Sequence, residues 1–214
     1  KANKDPATIA KAEAELKRAI QLNPNYPTAH FWYAIYLSET LGRHDEALAK
    51  IERAQELEPL SLIMSTDRGM ILYLAHRYDQ AISQFRKTLE MDPNFFRAHL
   101  WLGRTYEQKG MYKEAVEEFQ RARQLDDKPF VLAALGHAFA ASSRRAEAHK
   151  ALDELNQLSK RMYVDSYYVA AIHAALGETE QAFQSLEKAY DDRSTWLTRI
   201  KVDPLFDSLR SDPR

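Results

Sequence analysis

Alanine returns at a fixed interval along this chain, at Ala12, Ala47, Ala81, Ala115, Ala148 and Ala182. The separations are 35, 34, 34, 33 and 34 residues. A period held this closely restricts the fold to an array of similar units, each packed on its sequence neighbours. The best-formed unit is Phe96 to Asp127. It reads His99-x2-Leu102-Gly103-x2-Tyr106, then Gly110, Tyr112, Ala115-x3-Phe119, Ala122 and Leu125. Leu102 and Tyr106 share one helix face, and Ala115, Phe119 and Ala122 line one face of a second helix beyond Gly110. Gly103 and Ala115 are small enough for the two helices to approach closely. Neither helix can bury its apolar stripe alone, so the unit needs neighbours on both sides.

The same pattern recurs with local departures. Residues 1–24 carry Asp5-Pro6, a helix cap followed by Pro at the first helical position, then Ala12, Leu16, Ala19 and Leu22. This matches only the second helix of a unit, so the stretch is expected to be a half-repeat of a longer protein. Five full units follow over 25–194, beginning near Thr28, Leu62, Phe96, Pro129 and Tyr163. Arg68 stands in the second unit where an aliphatic residue is expected, with no reason visible in the sequence. In the fourth unit Ser143 replaces the turn glycine and Leu155 replaces a small residue. Helix breaks are expected at about Pro24, Gly42, Pro59, His76, Pro93, Gly110, 127–129, Ser143, Arg161 and Gly177. From Asp191 the period stops. Residues 195–214 hold Trp196, Leu197, Ile200 and Val202, then Asp203-Pro204 opening a short helix, and suit a cap on the last unit.

Composition removes several function classes. Thirty basic against 31 acidic residues give a formal net charge of −1, too balanced for gripping a nucleic-acid backbone. Without cysteine there is no disulfide framework, zinc–thiolate site or thiol chemistry. No apolar run approaches the roughly 18 residues of a membrane span. The expected location is the cytoplasm, or the periplasm if a preceding part carries a membrane span.

On the residues quoted for 96–127, and on the 34-residue period, the chain resembles tetratricopeptide repeat (TPR) proteins, departing with His99 where Trp is common and Asp127 where Pro is common. The resemblance implies an all-α, right-handed solenoid of antiparallel helix pairs whose first helices line a concave side. A second resemblance covers residues 201–213, from Lys201-Val202-Asp203-Pro204-Leu205-Phe206 to Asp212-Pro213. It is similar to the closing motif of TPR regions in bacterial signalling proteins. There the repeats follow a CadC/ToxR-like winged-helix domain, a serine/threonine kinase or a nucleotide cyclase. What these resemblances imply is a non-catalytic protein- or peptide-binding module, the C-terminal sensory or scaffolding part of a bacterial transcriptional regulator. Alternatives are the regulatory tail of a kinase or cyclase, and a stand-alone adaptor.

No catalytic motif is present: no glycine-rich phosphate loop, no His-Glu-x-x-His and no Gly-x-Ser-x-Gly. The histidines at 30, 44, 76, 99, 137, 149 and 173 are scattered over different units, which favours structural or solvated roles over metal binding. No catalytic residue, metal site or cofactor is expected. The candidate site is the inner groove, with Trp32, Tyr36, Met70, Tyr73, Arg97, Arg104, Phe130, His137 and Tyr167 facing it by helical phase. Aromatic and Met side chains with interspersed Arg suit an extended or helical peptide, and Arg97 and Arg104 suit a carboxylate on it. The competing reading packs these aromatics on neighbouring helices and leaves the arginines solvated. Chaperone-binding relatives clamp a terminal carboxylate with Lys and Asn in this groove. The matching positions here hold Trp32, Tyr36, Thr66, Met70 and Arg97, so that duty is not expected. The expected partner is a protein or peptide, with self-association as a further possibility.

Overall fold

The computed structural model describes residues 6–212, and the chain divides into two compact units, Lys1–Pro93 and Asn94–Arg214. Among the described residues there is no strand. The first unit contains α1 (Pro6–Leu22), α2 (Pro27–Ile35, prolonged by a wider π turn to Thr40), α3 (His44–Leu57), α4 (Leu62–Leu74) and α5 (Tyr78–Met91). The second contains α6 (Phe96–Gln108), α7 (Tyr112–Leu125), α8 (Pro129–Ala141), α9 (Arg145–Ser159), α10 (Ser166–Leu176) and α11 (Thr179–Asp191), followed by two short 3₁₀ turns at Thr195–Arg199 and Pro204–Leu209. The expected breaks fall between helices, with Pro129 itself the first residue of α8. The cap expected of Asp5 lies outside the described residues.

Helices pack in consecutive pairs: α2 with α3, α4 with α5, α6 with α7, α8 with α9 and α10 with α11. The two members of a pair have different jobs, and their sequences show it. Helix α7 buries only Ala115, Phe119 and Ala122, one stripe of an otherwise charged helix. Its partner α6 buries nine residues, including Leu100, Trp101, Leu102 and Arg104, because neighbours press on several of its faces. The small residues set the spacing: a Cβ placed on Gly103 would lie 2.6 Å from the Phe119 ring and 3.1 Å from the Ala115 carbonyl. In the first unit the core gathers Phe31, Leu37, Ile51 and Ile71, with Leu16 and Ile20 of α1 against it.

The turns within pairs are copies of one another. Gly42, His76, Gly110, Ser143 and Gly177 all have positive φ, between 57° and 74°. In four of them the next N–H reaches back five residues, as in Arg77 N to Leu72 O (2.8 Å) and Arg144 N to Phe139 O (2.8 Å). This closes the first helix in a Schellman-type cap that favours glycine. His76 and Ser143 adopt it without being glycine, which accounts for turns the glycine pattern alone would miss.

Two oddities acquire reasons. Arg68 donates to Glu52 Oε1 at 2.6 Å, so the polar residue on α4 bridges to α3. Leu155, buried at the slot held elsewhere by Ala54, Thr88, Ala122 and Ala189, belongs to the core that α10 shares, and the connection between α9 and α10 lengthens to residues 160–165. Helix α10 then takes much of its packing from α8, where a Cβ on Gly136 would meet Ile172 at 2.9 Å.

Candidate functional site

Within the first unit the four groove residues fall into two classes. Trp32 is 56% exposed, with its edge against Phe31 at 5.0 Å between ring centres. Tyr36 is half-buried and donates its hydroxyl to the Ile9 carbonyl at 2.6 Å, tying α1 to the end of α2. Met70 and Tyr73 are buried, Tyr73 lying 5.9 Å from the Tyr78 ring. On this unit Trp32 is the member presented to solvent.

The second unit carries its five on α6, α8 and α10, and Arg104, Phe130, His137 and Tyr167 among them share neighbours. Arg97 is half-buried near the start of α6. Arg104, buried two turns on, lies over the rings of Trp101 (4.8 Å) and Tyr168 (5.3 Å). Phe130 sits between Phe96 and Tyr168, 6.2 Å from each. His137 Nδ1 is 2.6 Å from Glu107 Oε1, both side chains buried. Tyr167 is fully buried and donates its hydroxyl to Asp203 Oδ2 at 2.8 Å.

That last partner belongs to the C-terminal tail, which runs back over these first helices. The tail starts where Ser194 Oγ donates to Asp165 Oδ2 (2.8 Å), while Asp165 Oδ1 accepts the Tyr167 N–H that opens α10. Trp196 then lies 5.4 Å from Tyr168, adding a fourth ring to the series Phe96, Phe130 and Tyr168. Arg199 is buried with its guanidinium over Trp196 (4.3 Å) and Trp101 of α6 (5.5 Å). Asp203 caps the second turn by accepting from Leu205 N at 3.1 Å. Leu205 faces Arg104, Glu107, Ala133, His137 and Ala171, and the space left among them is about 10 Å³. That is room for at most one water, so Leu205 leaves little free space among these side chains. Phe206 closes on Tyr167 at 5.0 Å.

The electrostatics follow from enclosure. Burial pushes the Tyr168 phenol up to about 12, against the opposing pull of Arg104 and Arg199. Tyr167 is raised well above the ordinary tyrosine range, first by burial and then by the Asp203 carboxylate. Both phenols are therefore neutral hydrogen-bonding groups at ordinary pH.

A second concavity in this unit lies over α7, α8 and α9. It is an open cleft of about 620 Å³ with Leu132, Leu135 and Phe139 at its floor and Arg123, Lys150 and Glu154 on its rim. Arg123 donates to Glu154 at 2.6 Å and Asp127 at 2.8 Å across it. Sequence reasoning did not single out this cleft, nor Trp101, Tyr168, Arg199 or Asp203 as members of the buried assembly. The doublet Tyr167-Tyr168 and the Asp203-Pro204 cap were the signals available. Among the described residues no cluster of three or more His, Asp or Glu is arranged to hold a metal ion, and no helix is long and apolar enough to cross a membrane.

The fold is that of a helix-pair repeat protein, and parts of the chain are similar to tetratricopeptide repeats. Tetratricopeptide repeat family models match residues 66–129 and 15–49. Among solved structures, the thermophilic TPR protein TTC0263 of Thermus thermophilus is similar at 21% identity and a TM-score of 0.68, over 79% of this chain and 91% of that one. MamA from Desulfovibrio magneticus RS-1 is similar at 20% identity and 0.59, over 73% and 89%. The APC/C hetero-tetramer Cut9–Hcn1 is similar at 19% identity and 0.67, over 95% of this chain and 40% of the matched chain. At these identities the likeness shows the fold. No curated protein matches the sequence.

Proposed function

We propose that this chain is a non-catalytic interaction module that takes a protein segment on the side formed by its first helices. The supporting observation is that, in the second unit, this side already holds a short-turned piece of polypeptide, the 3₁₀ segments of the tail. Tyr167, Tyr168, Arg104 and His137 meet the tail between Arg199 and Phe206 through a hydrogen bond, an edge-on ring contact and a pocket of mixed polarity around Leu205. These are the elements by which peptides are recognised elsewhere. In the first unit, exposed Trp32 is the anchor of the same proposal. Selection of a random peptide library against the chain tests it. Selected peptides should lose at least tenfold in affinity on Trp32→Ala with Arg97→Ala, which leave the core intact. Unchanged affinity in a folded double variant overturns the reading.

The biological setting we propose is the sensory or scaffolding part of a bacterial transcriptional regulator, with a kinase or cyclase tail and a stand-alone adaptor as the alternatives. The similarity of residues 201–213 to the closing motif of such proteins supports it. Gene sequence on the amino-terminal side of Lys1 tests it: a winged-helix pattern agrees, and kinase or cyclase motifs contradict it.

A further inference from the structure

We infer that the tail is a built-in ligand, and that the first-helix side of the second unit binds, in place of it, a partner segment carrying a carboxylate, then proline, an aliphatic and an aromatic residue. The inference rests on the proposed peptide-binding role of that side and names its occupant.

Four observations carry it. Asp203 gives one carboxylate oxygen to the Tyr167 hydroxyl and the other to the Leu205 N–H, so the same side chain docks the segment and shapes it. Pro204, Leu205 and Phe206 are buried, Leu205 among residues from α6, α8 and α10 and Phe206 on Tyr167. The docked segment is held by side chains, with short 3₁₀ turns and no long helix of its own. Its side-chain hydrogen bonds to α10 and the residue that caps it include the Ser194–Asp165 link at one end and the Asp203–Tyr167 link in the middle. A segment built this way can be replaced residue for residue by a chain of the same chemistry.

Tethering sets the exchange. A short flexible connection gives an effective concentration of order millimolar, so a free peptide of micromolar intrinsic affinity competes about a thousandfold less well against the native tail. Loosening the tail should therefore reveal the site.

The test uses the full chain and a fluorescent peptide spanning Arg199–Asp212. Leu205→Ala with Phe206→Ala in the chain removes the apolar anchors. Tyr167→Phe is a second, nearly isosteric variant that deletes one hydroxyl. The peptide should bind the double variant at least tenfold more tightly than the unaltered chain, and lose that binding when its own Leu and Phe are replaced by alanine. In the Tyr167→Phe chain, hydrogen exchange should quicken in 199–209 and not in α6–α9. A peptide that binds the folded double variant no better than the unaltered chain overturns the inference. So does unaltered tail protection in Tyr167→Phe. If library-selected peptides still bind while the tail peptide fails, only the named occupant is wrong. If neither binds, the peptide-binding role falls with it.

Discussion

The hydroxyl of Tyr167 donates to Oδ2 of Asp203 at 2.8 Å, across 36 positions of chain and with both side chains fully buried. This bond joins the opening of α10 to the middle of the tail. Because the tail returns across α10 and α8 to the Trp101 ring of α6, the end of the chain and the candidate site are one assembly.

Asp203→Ala should therefore destabilise the second unit by about 1–3 kcal/mol, the cost of leaving a buried hydroxyl and the Leu205 N–H without their acceptor. Urea unfolding followed by circular dichroism measures this. A loss below a few tenths would show that the bond is replaced by solvent.

Alkaline pH should weaken the same region. The folded-state phenols of Tyr167 and Tyr168 are raised, so their contribution is complete below the ordinary value of 10 and falls as pH climbs toward about 12. Replacing Tyr168 by Phe should flatten the melting temperature between pH 10 and 12 relative to the unaltered chain. An equal slope in both proteins would contradict this.

Acid acts on the first unit at Glu13. Lys17, Arg43 and Tyr33 donate to its carboxylate, and they hold its carboxyl down at about 2 against an ordinary 4.5. A lowered folded-state value means that the stabilisation is complete above pH 4.5 and disappears as pH falls toward 2. Glu13→Gln should remove part of that acid sensitivity, read as a shallower fall in melting temperature over this window. A Gln variant that tracks the unaltered chain would exclude Glu13 as the sensor.

The repeated turns make a prediction of opposite sign. Ser143 is exposed with φ at 64°, where a side chain is strained and glycine is not. Ser143→Gly should stabilise by about 0.5–1 kcal/mol. Gly103→Ala should destabilise by about 1–3 kcal/mol, since its Cβ would press on Phe119. Thermal unfolding of the two variants separates turn strain from helix spacing.

Much of this architecture was legible in the sequence because it is local. The alanine period, the Pro and Gly breaks and the paired amphipathic stripes are set by residues a few positions apart, and the helix breaks fall near those signals, with α10 starting at Ser166 where the sequence placed its unit from Tyr163. The polar residue at 68 was not legible, because its reason is Glu52, a turn and a helix away. The route of the tail was not legible either. Residues 195–212 announce a cap through Asp203-Pro204 and a cluster of apolar side chains. That they lie along the first helices depends on contacts such as Arg199 with Trp101, 98 positions apart, which no local pattern encodes. Helical phase brought Arg104, His137 and Tyr167 onto one side. Phase says nothing about what already occupies that side.

Nuclear magnetic resonance mapping of a library-selected peptide on the isotopically labelled chain tests the central claim most directly. The account predicts perturbed signals along α6, α8 and α10, at Arg97, Arg104 and His137, with residues 199–209 shifting toward the positions of a released segment. Perturbations confined to the opposite cleft, at Gln120, Arg123 and Lys150, with the tail unmoved, would contradict it.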